Sequence, residues 1–536
     1  MVTQVPCGGL TSVEQSLVEH VGRGERLDLA AEGEAVDEAA MRSWGDSRTC
    51  RASVIRDILR GRLAADPDPH GLRLRGARLT GRLDLENFTT DVSLELNDCL
   101  LEEGVLARDA HMAFVVLAGC HIEHSAEPPL DGARLTCSGL DLSGAKIIGG
   151  GVNLSSAHIG QLDCDGAELR NDSGPALDAD NLQVDRDMVL RGFTATGSGD
   201  AGAVRLPGAH IGGQLNCTAA ELRNDSGPAL NAYNLQVDQD MFLRGFTATG
   251  SGDAGAVRLL GGHIGGQLNC TAAELRNDSG PALNADNLQV DRDMFLSSGF
   301  TATGGGQEAV VDLARARVGG AFVFAPARLE HKVDSHRRLE VDGLTYAGVP
   351  EPISPQGWRE LLRHGTPHYA AQPYQQLAAA ARALGDEQQA RETLMAQRAD
   401  QLVRTHPRWQ GRLWGWITKV TLGYGYQPWR ALLFLAAVVV ASCVLAVVLG
   451  MHGALVQTDK TVTPGRPCTV VQQVSVGLDL NLPVGTTVAR AACDLTTDSD
   501  SATAAWLTVV SWVLQVLAWM FAALFIAGFT SAVRKT

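Results

Sequence analysis

From Leu72 onward, apolar residues alternate with polar ones for only three to five positions before Gly, Asn, Asp or Ser interrupts them. Alternation puts successive side chains on opposite faces of a strand, and the interrupting residues are those that favour tight turns, so the pattern predicts many short strands rather than helices. The pattern also repeats. His210-Ile211-Gly212-Gly213-Gln214-Leu215-Asn216-Cys217 returns almost verbatim at His263 to Cys270, an altered copy starts at His158, and a degraded one starts near Arg317-Val318-Gly319-Gly320. Cys164, Cys217 and Cys270 are each 53 residues apart, and a shift of 27 residues aligns Ala229 to Leu243 with Ala256 to Cys270. Each long repeat is therefore two coils of a solenoid.

Less regular coils extend upstream through Leu94 to Leu101 and Ala118 to Ile122 to an opening at Leu72 to Leu79. A small residue recurs two positions before Leu or Ile, as in Ala133/Leu135, Ala145/Ile147, Ala157/Ile159 and Ala167/Leu169, where it would let successive coils stack closely. The expected fold class is mainly β: a right-handed parallel β-helix over residues 71–346, with about eleven or twelve coils and a length of roughly 50 to 60 Å at the usual strand spacing.

Helix-like segments at Ser12 to Val21 and Val36 to Leu63 suit an N-terminal cap over residues 1–70. After Pro350-Glu351-Pro352 the pattern becomes helical, and residues 347–404 read as a hairpin region in which Gly385 ends one helix and Ala390 permits close packing, similar to one tetratricopeptide-type unit. Residues 405–430 interleave aromatics with Arg and Lys, so Trp409, Trp414, Trp416, Trp429 and Arg430 are expected to anchor at a membrane interface. Residues 431–449 and 504–529 are uncharged and apolar apart from Gln515, and each reaches the ~20 residues needed to span a bilayer. Basic residues flank the two spans on the outside of the pair (Arg404, Arg408, Arg412, Lys419 and Arg430 before, Arg534 and Lys535 after), whereas residues 450–503 carry only Lys460, Arg466 and Arg490. The positive-inside rule therefore predicts a two-pass protein of a bacterial cell membrane with both termini, including the 530–536 tail, in the cytoplasm and an extracytoplasmic loop over 450–503. The N-terminus lacks the basic and apolar regions of a signal peptide.

The N-terminal cap, the β-helix, the Pro373-Tyr374-Gln375-Gln376-Leu377 hairpin, the Gly423-Tyr424-Gly425-Tyr426-Gln427-Pro428-Trp429-Arg430-Ala431-Leu432 entry and the two spans together resemble a family of actinobacterial two-span membrane proteins with a pentapeptide-repeat-like β-helix. Members often carry the label "membrane-associated oxidoreductase". The resemblance implies membrane anchoring and, through that label, redox activity, although no motif in these residues carries it.

The formal net charge of −15 argues against a phosphate-binding surface, so nucleic acid is not an expected partner. Of eleven cysteines, eight lie in the region assigned to the cytoplasm and Cys443 lies in the first span; Cys468 and Cys493 share the external loop, where a disulfide and two free thiols are equally open. Cys164, Cys217 and Cys270, on alternate coils nearly 10 Å apart, exceed the ~7 Å limit for a disulfide and read as small core residues. Cys120, His121 and His124 offer metal-ligand chemistry without a second pair at ligand spacing.

Gly197-Ser198-Gly199-Asp200-Ala201-Gly202 and Gly250-Ser251-Gly252-Asp253-Ala254-Gly255 match the dinucleotide pattern, but each leads into an expected strand instead of a helix, so both read as solenoid turns. The Asp185, Asp238 and Asp291 turns lack the calcium nonapeptide and read as solvated turns, and the sequons at Asn171, Asn224 and Asn277 as repeat by-products. Thr421-Leu422-Gly423-Tyr424-Gly425 mimics a potassium filter yet precedes the first span, where it reads as a juxtamembrane turn. No residue is assigned to catalysis, a metal or a cofactor. The functional expectation is a non-enzymatic, membrane-anchored cytoplasmic scaffold whose partners are the bilayer and a cytoplasmic protein of unknown identity, with homo-oligomers open. The alternatives are an oxidoreductase, from the family label alone, and a sensor or channel-like assembly.

Overall fold

In the computed structural model the described residues are 9–30, 36–64, 66–124 and 127–405, followed by 416, 420, 421, 423, 427, 429–451, 455–457, 467–479, 481, 493–495 and 502–535. They fall into two compact units, up to Ala390 and from Arg391 onward.

The first unit is a parallel β-solenoid of about twelve coils. A typical coil contributes four short strands, such as Leu177–Asp178, Gln183–Val184, Met188–Val189 and Thr194–Gly197. Stacking the coils makes three faces. Face I takes two strands per coil and has 22 strands, face II has 12, and face III has 11. Successive rungs of face I at His210, Gln236, His263 and Gln289 are 26, 27 and 26 residues apart, so the 53-residue sequence repeat is two coils.

The local sequence explains each corner. In Leu154-Ser155-Ser156-Ala157 the Ala157 amide bonds back to Leu154 O at 3.0 Å, with Ser156 left-handed at φ 56°. Just before it, Asn153 Oδ1 accepts from Ser155 N at 3.1 Å and Ser155 Oγ at 2.7 Å, the local bonding that makes Asn and Asp turn formers. Ala145 and Ala167 close equivalent corners onto Leu142 and Cys164. The small residue at this point is fully buried, and the Leu or Ile two positions later fills the interior. Phe193, Phe246 and Phe300 recur in that interior with Met188, Met241 and Met294, all 0% exposed.

The N-terminal cap is more than helices. Helix α1 (Ser12–Arg23) begins with a capping box between Thr11 and Glu14. Glu14 is fully buried and receives the Arg51 side chain at 2.8 and 2.7 Å together with the Thr11 and Arg51 amides. Burial pushes its carboxyl up, but those hydrogen bonds outweigh it and bring the pKa down to about 2. The stretch expected as helical from Val36 to Leu63 is divided into α2 (Glu38–Ser43), a strand at Thr49–Arg51, and α3 (Ala52–Leu59). That strand is the first rung of face II, pairing Thr49 with Arg78, and Leu27–Asp28 likewise pairs with Leu74–Arg75 on face I. Coiling thus starts before residue 71.

The other end is closed by α4 (Pro355–His364) and α5 (Gln372–Ala383). Trp358 of α4 is 0% exposed, with its ring centroid 5.5 Å from Phe324 and 6.1 Å from Phe322. Gln372 and Gln376 of α5 each donate a side-chain amide at 2.8 Å, to Leu344 O and Tyr346 O. These carbonyls belong to the last coil, so the glutamines stand in for the coil that would otherwise add to the open edge. Gly385, left-handed at φ 80°, ends the turn into α6 (Glu387–Thr405).

In the second unit, α7 (Trp429–Met451) and α9 (Ala502–Lys535) contain the two stretches long and apolar enough to cross a membrane, Trp429–Met451 and Val509–Ala527. Their Phe434 and Phe521 rings stack with centroids 5.4 Å apart. Between them, Leu455–Gln457 pairs antiparallel with Cys493–Leu495, and α8 (Val470–Asp479) packs along α7.

Candidate functional site

The chemistry singled out in the sequence resolves largely into turn and staple roles. In both glycine loops the amides that would face a pyrophosphate are already engaged. Ser198 N donates to Gly174 O at 2.9 Å and Gly199 N to Ser226 Oγ at 2.7 Å; Ser251 N and Gly252 N repeat this with Gly227 O and Ser279 Oγ. Strands, Val204–Arg205 and Val257–Arg258, follow them, so no helix N-terminus aims at either loop.

The aspartate-rich turns bond across coils. Asp187, Asp240 and Asp293 accept from the amides of Gln214, Gln267 and Ala321 at 2.8, 2.9 and 2.7 Å. The preceding Asp185, Asp238 and Asp291 take the imidazoles of His158, His210 and His263 at 2.8, 3.0 and 3.0 Å. These pairs stand exposed on face I on every second coil, with Gln183, Gln236 and Gln289 on the rungs between. The recurrence of His at 52 and 53 residues was visible in the sequence; its pairing to the next coil was not.

Cys120, His121 and His124 do not converge. Cys120 Sγ is buried against Leu96 O at 3.2 Å, and His124 Nδ1 accepts from Glu127 N at 2.8 Å. His121 instead meets Glu38 and Glu123, with all three ligand atoms within 4.8 Å. Arg42 of α2 occupies this group, contacting Glu123 and lying 3.2 Å from Glu38, while Lys146 Nζ is 3.8 Å from Glu38. A guanidinium in that position supplies the positive charge a metal would bring, so the cluster is a clamp holding α2 on face II. The described solenoid thiols are all buried; burial pushes Cys217 and Cys270 up to about 12. Thiols held so high are poor nucleophiles and poor ligands.

Face III carries a single outward column, within which Asn284, Asp312 and Glu340 are consecutive rungs. Burial, then the charges of Asp286, Glu340 and Glu308, push Asp312 up to about 6, against one favourable bond from Ala314 N at 2.9 Å. A folded-state pKa above the unfolded value means that the ionised form destabilises the fold, and stability rises as pH falls from about 6 toward the ordinary carboxylate range. Asp312→Asn keeps the Ala314 bond and should stabilise the protein at pH 7.5 by about 1 to 2 kcal/mol after allowance for solvent screening. Denaturation of the two proteins across pH checks this: the difference should vanish near pH 4, and a difference unchanged with pH would contradict it.

A cleft of about 610 Å³ lies where the last coil meets α4, between Phe324, Pro326, Pro352 and Leu361. Its two arginines are internally committed. Arg338 donates to Ser335 O and His364 O at 3.0 and 3.4 Å, and Arg328 pairs with Glu330. Neither Ser nor Cys is among its lining residues.

Of the expected interface anchors, Trp416 and Trp429 are 62% and 55% exposed and Arg430 is half-buried, whereas Trp409 and Trp414 lie outside the described residues, as does most of Thr421 to Gly425. Cys468 and Cys493 are joined in a disulfide, with Cα atoms 6.4 Å apart, beside the antiparallel strand pair. Neither a family model nor a curated protein matches the chain.

Proposed function

We propose that the protein is a membrane-anchored scaffold whose solenoid offers repeated, regularly spaced chemistry to a cytoplasmic protein partner. The observation that carries this reading is face I, where an exposed His–Asp pair returns on every second coil. Repetition at fixed spacing suits multivalent contact with a repetitive or elongated partner, since several weak contacts add through effective concentration. A lone catalytic centre has no use for it. In this reading both termini are cytoplasmic, the two apolar helices fix the solenoid at a bacterial membrane, and the protein is kin to the actinobacterial two-span family without using the redox activity that family's label implies.

A second reading, a channel-like assembly, is favoured by the segment between the spans. Gly477 of α8 packs on the backbone of Cys443, Ser442 Oγ lies 3.3 Å from Asn481 Oδ1, and Gln473 lies against Gly450. Since α8 meets α7 near its middle, the contact places polar groups at mid-span, where they are costly and usually serve a function.

Photo-crosslinking residues at Gln183, Gln236 and Gln289 should capture one discrete cytoplasmic protein, whereas the same residue at Arg258 on face III should not. Saturable binding of a flavin or nicotinamide nucleotide with turnover would replace the scaffold with an enzyme. Ion flux through proteoliposomes that depends on Ser442 and Asn481 would establish the second reading.

A further inference from the structure

Face II has a charge pattern that the other faces lack. From Glu168 to Asn277 its charged strands bury the residue between the Glu and the Arg and turn those two outward, giving two exposed columns. On three alternate coils the outward pairs are Glu168/Arg170, Glu221/Arg223 and Glu274/Arg276. The rungs between them carry two threonines each, as at Thr247/Thr249. At the last rung the order reverses, to Arg328/Glu330. From Glu168 onward, one column is thus acidic where the other is basic at each charged rung, including the reversed one.

We propose that face II is a contact surface between two copies of this chain, related by a two-fold axis parallel to the solenoid. That rotation places the first column of one copy over the second column of the other at the same rung. Glu221 then faces Arg223 of the second copy, Thr247 faces Thr249, and Arg328 faces Glu330, so every charged rung is matched. An antiparallel two-fold would lay Glu over Glu. Face III, with its single column, would bring Asp312 over Asp312 under the same operation and repel. The rungs nearer the N-terminus are already covered, because Glu38 and Arg42 of α2 sit over Lys146, His121 and Glu123. The chain therefore uses the early part of this face to hold its own helix and leaves the part from Glu168 onward open.

The size of the face sets where association occurs. Seven rungs at ~4.8 Å by about 10 Å of strand give roughly 300 Å² per partner, well under the ~800 Å² of a standard stable interface. Exposed ion pairs contribute about 0.2 to 1 kcal/mol each, and these charges already pair within the chain: Glu168 with Lys146 at 3.4 Å, Arg170 and Arg223 with Asp172 and Asp225 at 3.0 and 3.2 Å, Arg276 with Glu274 at 3.7 Å, and Arg328 with Glu330; a guanidinium has donors for a second partner. In dilute detergent the chain stays monomeric. In a membrane, co-anchoring raises the effective concentration of the two copies.

The test uses full-length chains in membranes, all with Cys7→Ala and Cys443→Ala; the remaining solenoid thiols are buried. Chains carrying Thr247→Cys and chains carrying Thr249→Cys, with different tags, are co-expressed and treated with a short bis-methanethiosulfonate whose sulfurs span about 5 Å, because faces packed about 10 Å apart hold opposed Cα atoms beyond the reach of a direct disulfide. Linked mixed dimers are expected, with at least about fivefold less linkage when either substitution is present alone, because identical columns are displaced by a further two residues of strand, about 7 Å. In a second arm, Glu221→Arg, Arg223→Glu, Glu274→Arg and Arg276→Glu are combined. The exchanged chain should link to itself as well as the native chain does, and at least about fivefold less to the native chain. Equal linkage by Thr247→Cys alone, equal linkage of exchanged to native chains, or no linkage at all overturns the proposal.

Discussion

Excision of residues 210–262 is expected to yield a folded, membrane-bound protein shorter by about 10 Å, the rise of two coils. The cut joins Ala209 to His263, and the rung at Gln183, which pairs with His210 in the intact chain, meets His263 in the same register. Downstream pairings are untouched, since His263 already stacks on Gln289. Excision of residues 236–248 joins Leu235 to Thr249, forcing a face II residue into a face I position and leaving about half a coil, too short to circle the stack back to face III. A register error of this kind exposes Leu and Phe side chains that are 0 to 1% exposed in the intact stack, and the protein should be recovered in aggregates. Gel filtration in detergent with a thermal melt separates the outcomes. Equal tolerance of both deletions would contradict the coil register.

That register was legible because duplication wrote it twice. The 53-residue spacing of Cys164, Cys217 and Cys270 fixes two coils per repeat, and the alternation around Leu215 or Leu268 identifies strands. Ala145 and Ala157 marked the residues that close corners, whereas at Ala133 the closing residue is Leu135, bonded to Gly132 O; Leu182, Leu235 and Leu288 close other corners, so a small side chain is not required there. Two classes of feature stayed hidden. Strands of two or three residues, such as Leu27–Asp28 and Thr49–Arg51, have no period to detect, so the first coil was read as part of a helical cap. Contacts between coils depend on which residues share a rung, and this is set by unequal coil lengths. The His210–Asp238 pair and the Glu/Arg rungs of face II are therefore geometric facts that 28- and 26-residue separations disguise. The packing of α8 on α7 was hidden for a related reason: Ser442 is one hydroxyl in an apolar run, and its partner Asn481 is 39 residues away.

The sequon asparagines carry the largest single-residue effect expected in the solenoid. Asn224 is 1% exposed, and its side chain makes four hydrogen bonds: Nδ2 donates to Gly199 O and Pro228 O, each at 3.0 Å, and Oδ1 accepts from Ser226 N at 3.0 Å and Gly227 N at 3.1 Å. Asn277 repeats the arrangement one repeat later. The side chain thus ties the turn after its own strand to the glycine loop of the preceding coil, and its amide nitrogen is not presented to solvent as a glycosylation acceptor would be. Asn224→Ala removes all four bonds and leaves buried donors and acceptors unmatched, a loss of about 3 to 4 kcal/mol. Asn224→Asp is isosteric and keeps the two accepted bonds, yet it cannot donate to Gly199 O or Pro228 O and places a charge against both carbonyls. It should therefore destabilise at least as much as alanine at pH 7.5, and less in acid, where the protonated carboxyl can donate once. Neighbouring coils contact only each other, so the damage should be local at first, with protease cleavage between Gly197 and Gly202 appearing before global unfolding. Thermal melts and limited proteolysis of the full-length protein in detergent check both statements. Unchanged stability in Asn224→Asp would mean that the carbonyls of Gly199 and Pro228 do not rely on this amide, and that the glycine loop is held by the Ser226 hydroxyl alone.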